Sequence, residues 1–307
     1  MSLRTTTYIA LGTAVATFLL LLVGGIVHGT DSGMACPETS AVPLPLCAGA
    51  LWPNMQGKVF WEHGHRLFAT GVGLLTIVLS VALLLRRAED GLAALLGGVA
   101  LVLVIVQGLL GRLTVVYNLP DAVSIAHLAT SQIFFGLLVY LCWRLRAQSA
   151  PTGAAVASRL PLLATVAVFG QVVLGALVRH MDAGLACLDF PLCDGKVVPE
   201  GTLPLVQMAH RGGAIVAGVL LVAACVRVLR ARGSVGARRL AIALPGLLVA
   251  QIALGWLSVR GMLGVAEVTM HLGVGVALLV GTWSMFLLTR PAALSARLAH
   301  VPVEQTA

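Results

Sequence analysis

The chain has 307 residues, of which 59% are hydrophobic and only 10% charged, with a mean hydropathy of +0.98. A soluble domain carries roughly 25% charged residues, so the composition excludes an ordinary water-soluble enzyme and indicates an integral membrane protein. The formal net charge of +8 would suit a polyanion-binding surface in another setting. Here its arginines are distributed as a topology signal, and no nucleic-acid partner is expected.

Eight apolar stretches are each long enough, at about 20 residues, to cross about 30 Å of hydrocarbon. They cover residues 8–28, 66–85, 92–117, 122–143, 160–180, 211–229, 241–260 and 267–289. A backbone in lipid must satisfy its own hydrogen bonds, so runs of this length predict helices rather than barrel strands. The first stretch follows Arg4 but is long for a secretory signal and lacks a small-residue cleavage site; it is expected to stay as helix one. No Arg- and Ser-rich amphipathic leader precedes it, which points to a bacterial plasma membrane.

In an eight-span arrangement Arg4, Arg86, Arg87, Arg144, Arg146, Arg159, Arg227, Arg230, Arg232, Arg238, Arg239, Arg290 and Arg297 fall on one side, together with both termini. That side is expected to be cytoplasmic. The opposite side holds Lys58 and Lys196 in its long loops, with Arg66, Arg112, Arg179, Arg211 and Arg260 near helix ends.

Reading on, the chain repeats itself. Asp31-Ser32-Gly33-Met34-Ala35-Cys36 returns as Asp182-Ala183-Gly184-Leu185-Ala186-Cys187, and Pro45-Leu46-Cys47-Ala48-Gly49 with Pro53 returns as Pro191-Leu192-Cys193-Asp194-Gly195 with Pro199. Glu62-x-x-His65-Arg66 corresponds to Gln207-x-x-His210-Arg211, while Gln107, Gly111 and His127 correspond to Gln251, Gly255 and His271. The predicted fold is therefore all-α, eight transmembrane helices arranged as two tandem pseudo-symmetric four-helix bundles. Residues 1–143 form the first bundle and 160–290 the second. Residues 144–159, rich in Ala, Ser, Pro and Gly, form a cytoplasmic linker, and 291–307 a cytoplasmic tail.

His65, His127, His210 and His271 each stand near the outer end of an even-numbered helix, so they share a depth. An unpartnered imidazole in so apolar a setting is costly, and a single one would be read as a hydrogen-bonded core residue or part of a proton path. Four in a duplicated pattern suit bis-histidine haem ligation, one pair in each bundle. Zinc or non-haem iron would recruit carboxylates or thiolates at the same depth in both halves, and only the first half has such a carboxylate.

That carboxylate is Glu62, one helical turn before His65 and on the same face. Its counterpart, Gln207, is uncharged and nearly isosteric. The pattern suits a first haem that is acted upon and a second that carries electrons; the blander alternatives are a helix-start acid favoured by the dipole or a partner for Arg66.

With Glu62-x-x-His65-Arg66, the paired Gly-x-Ala-Cys and Pro-Leu-Cys-x-Gly loops, four helix-borne histidines and a duplicated eight-helix body, the whole chain resembles the haem A synthase family. The resemblance implies oxidation of the C8 methyl of haem O to a formyl group by two successive hydroxylations and loss of water, making haem A for terminal oxidases. It also implies that His65 and His127 hold the substrate haem, that His210 and His271 hold haem b, and that Glu62 is the catalytic carboxylate. Implied partners are haem O, the lipid bilayer, a haem O synthase and terminal-oxidase assembly factors. Arg66 and Arg211 are candidates for haem propionates or for interfacial anchors.

Cys36, Cys47, Cys187 and Cys193 lie in the two outer loops, in an oxidising compartment, whereas Cys142 and Cys225 read as reduced packing residues. Four outer cysteines allow three connectivities, of which Cys36 with Cys47 and Cys187 with Cys193 keep the repeat. The first interval is longer than is usual in the family and carries Pro43 and Pro45. His28, His63, His180 and His300 break the repeat register and are read as non-ligands, His63 being placed to touch substrate. Two other classes remain: a di-haem b-type cytochrome acting only in electron transfer, which gives Glu62 no task, and a duplicated transporter, whose polar site belongs near mid-membrane rather than at one edge.

Overall fold

The computed structural model describes residues 1–37, 46–148, 156 and 158–290. Among these, eight helices are long and apolar enough to span a membrane. They are α1 (Leu3–Gly29), α2 (Gly57–Leu84), α3 (Gly91–Val116), α4 (Asp121–Ala147), α5 (Leu160–His180), α6 (Thr202–Arg230), α7 (Val235–Arg260) and α8 (Val265–Leu288). Pro43, Pro45, Arg297, His300, the proposed tail and half of the proposed linker lie outside the described residues, although residues 144–147 of that linker continue α4.

Two helices depart from expectation. Both α2 and α6 begin nine residues before the apolar stretches 66–85 and 211–229. Their first turns contain Lys58, Glu62 and His63, or Gln207 and His210, which lower local hydropathy without weakening helix formation. All four histidines consequently sit inside helices. His65 and His210 are the ninth residues of α2 and α6, and His127 and His271 the seventh of α4 and α8.

In the first bundle α1 packs against α2 and α4, and α3 against the same two helices, so α2 and α4 face each other across the diagonal. The second bundle repeats this with α5 and α7 flanking α6 and α8. The halves meet where α1 touches α8 and where α4 touches α5 and α8. Each bundle has its own apolar core: Leu79, Leu83, Leu138 and Leu141 in one, Leu221, Leu244, Val228 and Met285 in the other. Leu74, Ile77 and Val81 of α2 and Ile242, Val249 and Ile252 of α7 point outward, as lipid-facing residues do.

At the end bearing the termini, helix starts are fixed by side-chain caps. Asp90 accepts from Ala93 N at 2.9 Å and Ser234 from Ala237 N at 3.3 Å, which satisfies donors that the first turn leaves open. Asp90 is also gripped by Arg144, whose Nη2 and Nε reach it at 2.7 and 2.8 Å in a buried pair, tying α3 to the last turn of α4.

Candidate functional site

The opposite end carries two disulfide-bonded loops built alike. Cys36 is bonded to Cys47 and Cys187 to Cys193. Each second cysteine opens a tight turn in which Cys47 and Ala50, or Cys193 and Lys196, exchange both backbone hydrogen bonds at 2.9–3.1 Å. The two central residues have positive φ, 50° and 82° at Ala48-Gly49 and 48° and 73° at Asp194-Gly195. That is the geometry of a type I′ turn, and it explains the glycine of Pro-Leu-Cys-x-Gly. Asp31 and Asp182 likewise take left-handed conformations, φ 49° and 54°, just beyond the C-termini of α1 and α5.

Each loop is strapped to the helix that follows it. Glu62 Oε2 accepts from Cys36 N at 2.6 Å, and Gln207 Oε1 accepts from Cys187 N at 2.5 Å. Arg66 donates to the carbonyls of Cys36 and Leu46 at 2.7 and 2.8 Å; Arg211 donates to those of Cys187 and Leu192 at 2.8 and 2.7 Å. The two arginines thus act as matched clamps on loop backbone. In this strap the halves differ at the acid: buried Glu62 forms an ion pair with Arg66 at 2.6 Å, whereas the Gln207 amide donates to Gly184 O at 2.9 Å. Glu62 lies five residues inside α2, whose N-cap is Gln56, so it is not a helix cap.

Beneath the loops the four histidines share one seat. The ring Cε1 of each faces a glycine of the preceding helix: Gly24 for His65, Gly111 for His127, Gly175 for His210 and Gly255 for His271. A Cβ at these glycines would stand 3.0–3.4 Å from Cε1, so only glycine lets the ring lie against the helix at no steric expense. In three cases a glutamine one turn earlier joins the ring. Gln171 Nε2 lies 3.0 Å from His210 Nδ1 and donates to His210 O at 2.8 Å. Gln107, its amide turned so that both ends meet complementary partners, places nitrogen 3.0 Å from His127 Nδ1 and 3.1 Å from His127 O. For His271, Nδ1 meets the Gln251 backbone carbonyl at 3.1 Å, with the Gln251 amide 3.3 Å from Nε2.

The histidine pairs can be tested for haem. The His210 and His271 rings have centroids 6.4 Å apart at 67°. Two metal–imidazole bonds of about 2 Å, plus about 1 Å from each donor nitrogen to its ring centre, place trans bis-histidine rings about 6 Å apart. The ring separation of the second-half pair matches that spacing. In the first half, His65 Nδ1 is buried without a hydrogen-bond partner. With only weak neutral partners around them, these imidazoles offer the donor set that haem iron takes.

The remaining candidates serve elsewhere. His63 is fully buried, its Nε2 2.8 Å from Leu51 O, packed under the first loop. It forms with Cys36 and Cys47 a cluster of metal-capable atoms, but both sulfurs are taken up by the disulfide. His28 stacks on His180 with centroids 4.7 Å apart, at the seam between α1 and α5. Sequence reasoning overlooked Gly24, Gly175 and Gln171. Extending the Asp31–Asp182 correspondence backwards aligns Gly24 with Gly175, and the spacing of Gln171-x-x-x-Gly175 equals that of Gln107-x-x-x-Gly111 and Gln251-x-x-x-Gly255.

The profile of the COX15-CtaA family, described as cytochrome oxidase assembly protein, matches residues 49–283. The chain is 30% identical over 290 residues to the haem A synthase of Symbiobacterium thermophilum, covering 90% of this chain and 92% of that protein. It is 31% identical over 219 residues to the haem A synthase of Shouchella clausii, covering 68% and 71%, and 28% identical over 305 residues to that of Shewanella oneidensis, covering 86% and 88%. With the duplicated helical body, the paired loops and the family match running through both halves, the chain belongs to the haem A synthase family.

Proposed function

We propose that this protein is a membrane oxidoreductase that converts the C8 methyl group of haem O to the formyl group of haem A. His65 and His127 hold the substrate haem across the first bundle, and His210 and His271 hold a haem b across the second. Held there, a haem would supply the redox chemistry, oxidising at the first site and electron-carrying at the second, while the protein supplies position and charge.

The observation that carries this reading is the Glu62–Gln207 pair. Both accept the backbone N–H of a loop cysteine, and Arg211 clamps its loop although the residue matching Glu62 is an uncharged amide. The anchor therefore works with an amide, and folding alone does not explain a buried acid in the first half. Burying a carboxylate carries a desolvation penalty. Arg66 and the Cys36 N–H offset that penalty.

Lying one turn before His65, Glu62 can stabilise positive charge developing at a methyl carbon beside the porphyrin and take up a proton as the oxygen function is built. The disulfide-bonded loops are fastened to α2 and α6 beside these histidines through Glu62, Arg66, Gln207 and Arg211. A di-haem cytochrome would have no use for a charge confined to one half. Substituting Glu62 by Gln tests the reading: the chain should keep both haems and its loop anchor, yet accumulate haem O in place of haem A. Unimpaired haem A formation would remove Glu62 from the reaction.

The disulfide-bearing end faces the oxidising exterior of a bacterial plasma membrane and both termini face the cytoplasm. The support is the concentration of arginines at the terminus-bearing end and of all four bonded cysteines at the other.

A further inference from the structure

Three of the four histidines have a partner on Nδ1 from the position one turn before the glycine seat: the Gln171 and Gln107 amides for His210 and His127, and the Gln251 backbone carbonyl for His271. The fourth has none. On α1 the equivalent residue, four before Gly24, is Leu20, an apolar side chain packed on the first core. His65 Nδ1 is accordingly buried with no hydrogen-bond partner. The seat is otherwise the same, since Gly24 meets His65 Cε1 at 3.3 Å as Gly175 meets His210 Cε1 at 3.1 Å.

The asymmetry has a direct chemical effect. A partner on the distal ring nitrogen fixes the tautomer and orientation of a ligating histidine and tunes its basicity, and its loss weakens metal binding by about 10–100-fold. An amide serves a ring in either tautomer, because it presents an oxygen or a nitrogen according to how it is turned. The leucine side chain can present neither, and no backbone carbonyl meets His65 Nδ1 as that of Gln251 meets His271. His65 is thus oriented by packing alone, whereas His127 also has a partner on Nδ1.

Resting on the function proposed above, we infer that His65 is the exchangeable ligand: Leu20 leaves it unanchored so that haem can enter and leave the first site, while the glutamine-held pair retains haem in the second. A site that takes in a substrate haem and must discharge its product needs one ligand that lets go. A resident electron carrier needs none. Leu20 is then a positioning residue by omission, acting through the ring it fails to hold.

The test uses the full-length protein loaded with both haems in detergent, with excess apomyoglobin as acceptor. Haem transfer is followed over time and the haem extracted from each fraction is identified by chromatography, so each site reports separately. In the wild type the haem O or haem A fraction should leave at least about 10-fold faster than haem b. Leu20→Gln should slow that release by about 10-fold or more, and Gln171→Leu should speed haem b release by about 10–100-fold. A release rate unchanged by Leu20→Gln, in protein that still binds both haems, would overturn the inference. Should Leu20→Gln fail to accumulate, Gln171→Leu decides alone, and unchanged haem b release rejects the proposal. Wild-type protein that binds no haem at the first site would instead overturn the function on which the inference rests.

Discussion

Glu62 and Gln207 make the same hydrogen bond in two halves of one chain, accepting from Cys36 N at 2.6 Å and from Cys187 N at 2.5 Å. They differ only in what the second side-chain atom does: an ion pair with Arg66 on one side, donation to Gly184 O on the other. The chain therefore contains its own control for the charge. Glu62→Gln should melt within a few degrees of the wild type and hold both haems, with haem A formation reduced by at least about 100-fold, the scale of a lost general acid–base group. Glu62→Ala should also lose activity but loosen the first loop, visible as faster proteolysis between α1 and α2.

The glycine seats predict a graded steric series. A Cβ at Gly255 would stand 3.0 Å from the His271 ring and one at Gly111 3.4 Å from the His127 ring. Gly255→Val should displace His271 and abolish the low-spin spectrum of the second haem, whereas Gly111→Ala should retain its haem with only a small spectral shift. Optical and electron paramagnetic resonance spectra of the purified variants check both.

Removing the second disulfide with Cys187→Ser and Cys193→Ser takes away one of three fastenings on that loop, the others being Arg211 and Gln207. A cross-link usually contributes about 2–4 kcal/mol, and the short interval between these cysteines places the loss at the lower end. The expected result is a lower melting temperature with haem b still bound. Equal melting temperatures would show that the clamps alone set the loop.

At the other end, Asp90 and Arg144 form a buried pair far from either histidine cluster. Removing one partner strands a buried charge and costs about 3–5 kcal/mol, so Asp90→Ala should lower thermal stability sharply. Its haem spectra should not change. A spectral change would mean that α4 transmits the disturbance to His127.

The spans were legible because lipid permits little else: long apolar runs in a bilayer must be helices. The starts of α2 and α6 were less so, since the turns carrying Glu62, His65, Gln207 and His210 trade hydropathy for chemistry, and a hydropathy reading ends where the site begins. The histidines were legible by their repeat. Their seats were only half legible, because Gly24 and Gly175 carry no side chain whose chemistry draws notice, and their meaning lies in what a Cβ would strike. The double duty of Arg66 and Arg211 as loop clamps depends on backbone carbonyls brought close by the tight turns, a relation invisible to spacing alone.

The central claim is that paired histidines hold two haems and that Glu62 acts on one of them. The most direct measurement is chromatography of the haems extracted from the purified full-length protein and from Glu62→Gln, both made in cells supplied with haem O. The account predicts haem b with haem A or a hydroxylated haem O in the wild type, and haem b with unmodified haem O in the variant. A colourless wild-type protein, or haem A at wild-type levels in the variant, would contradict it.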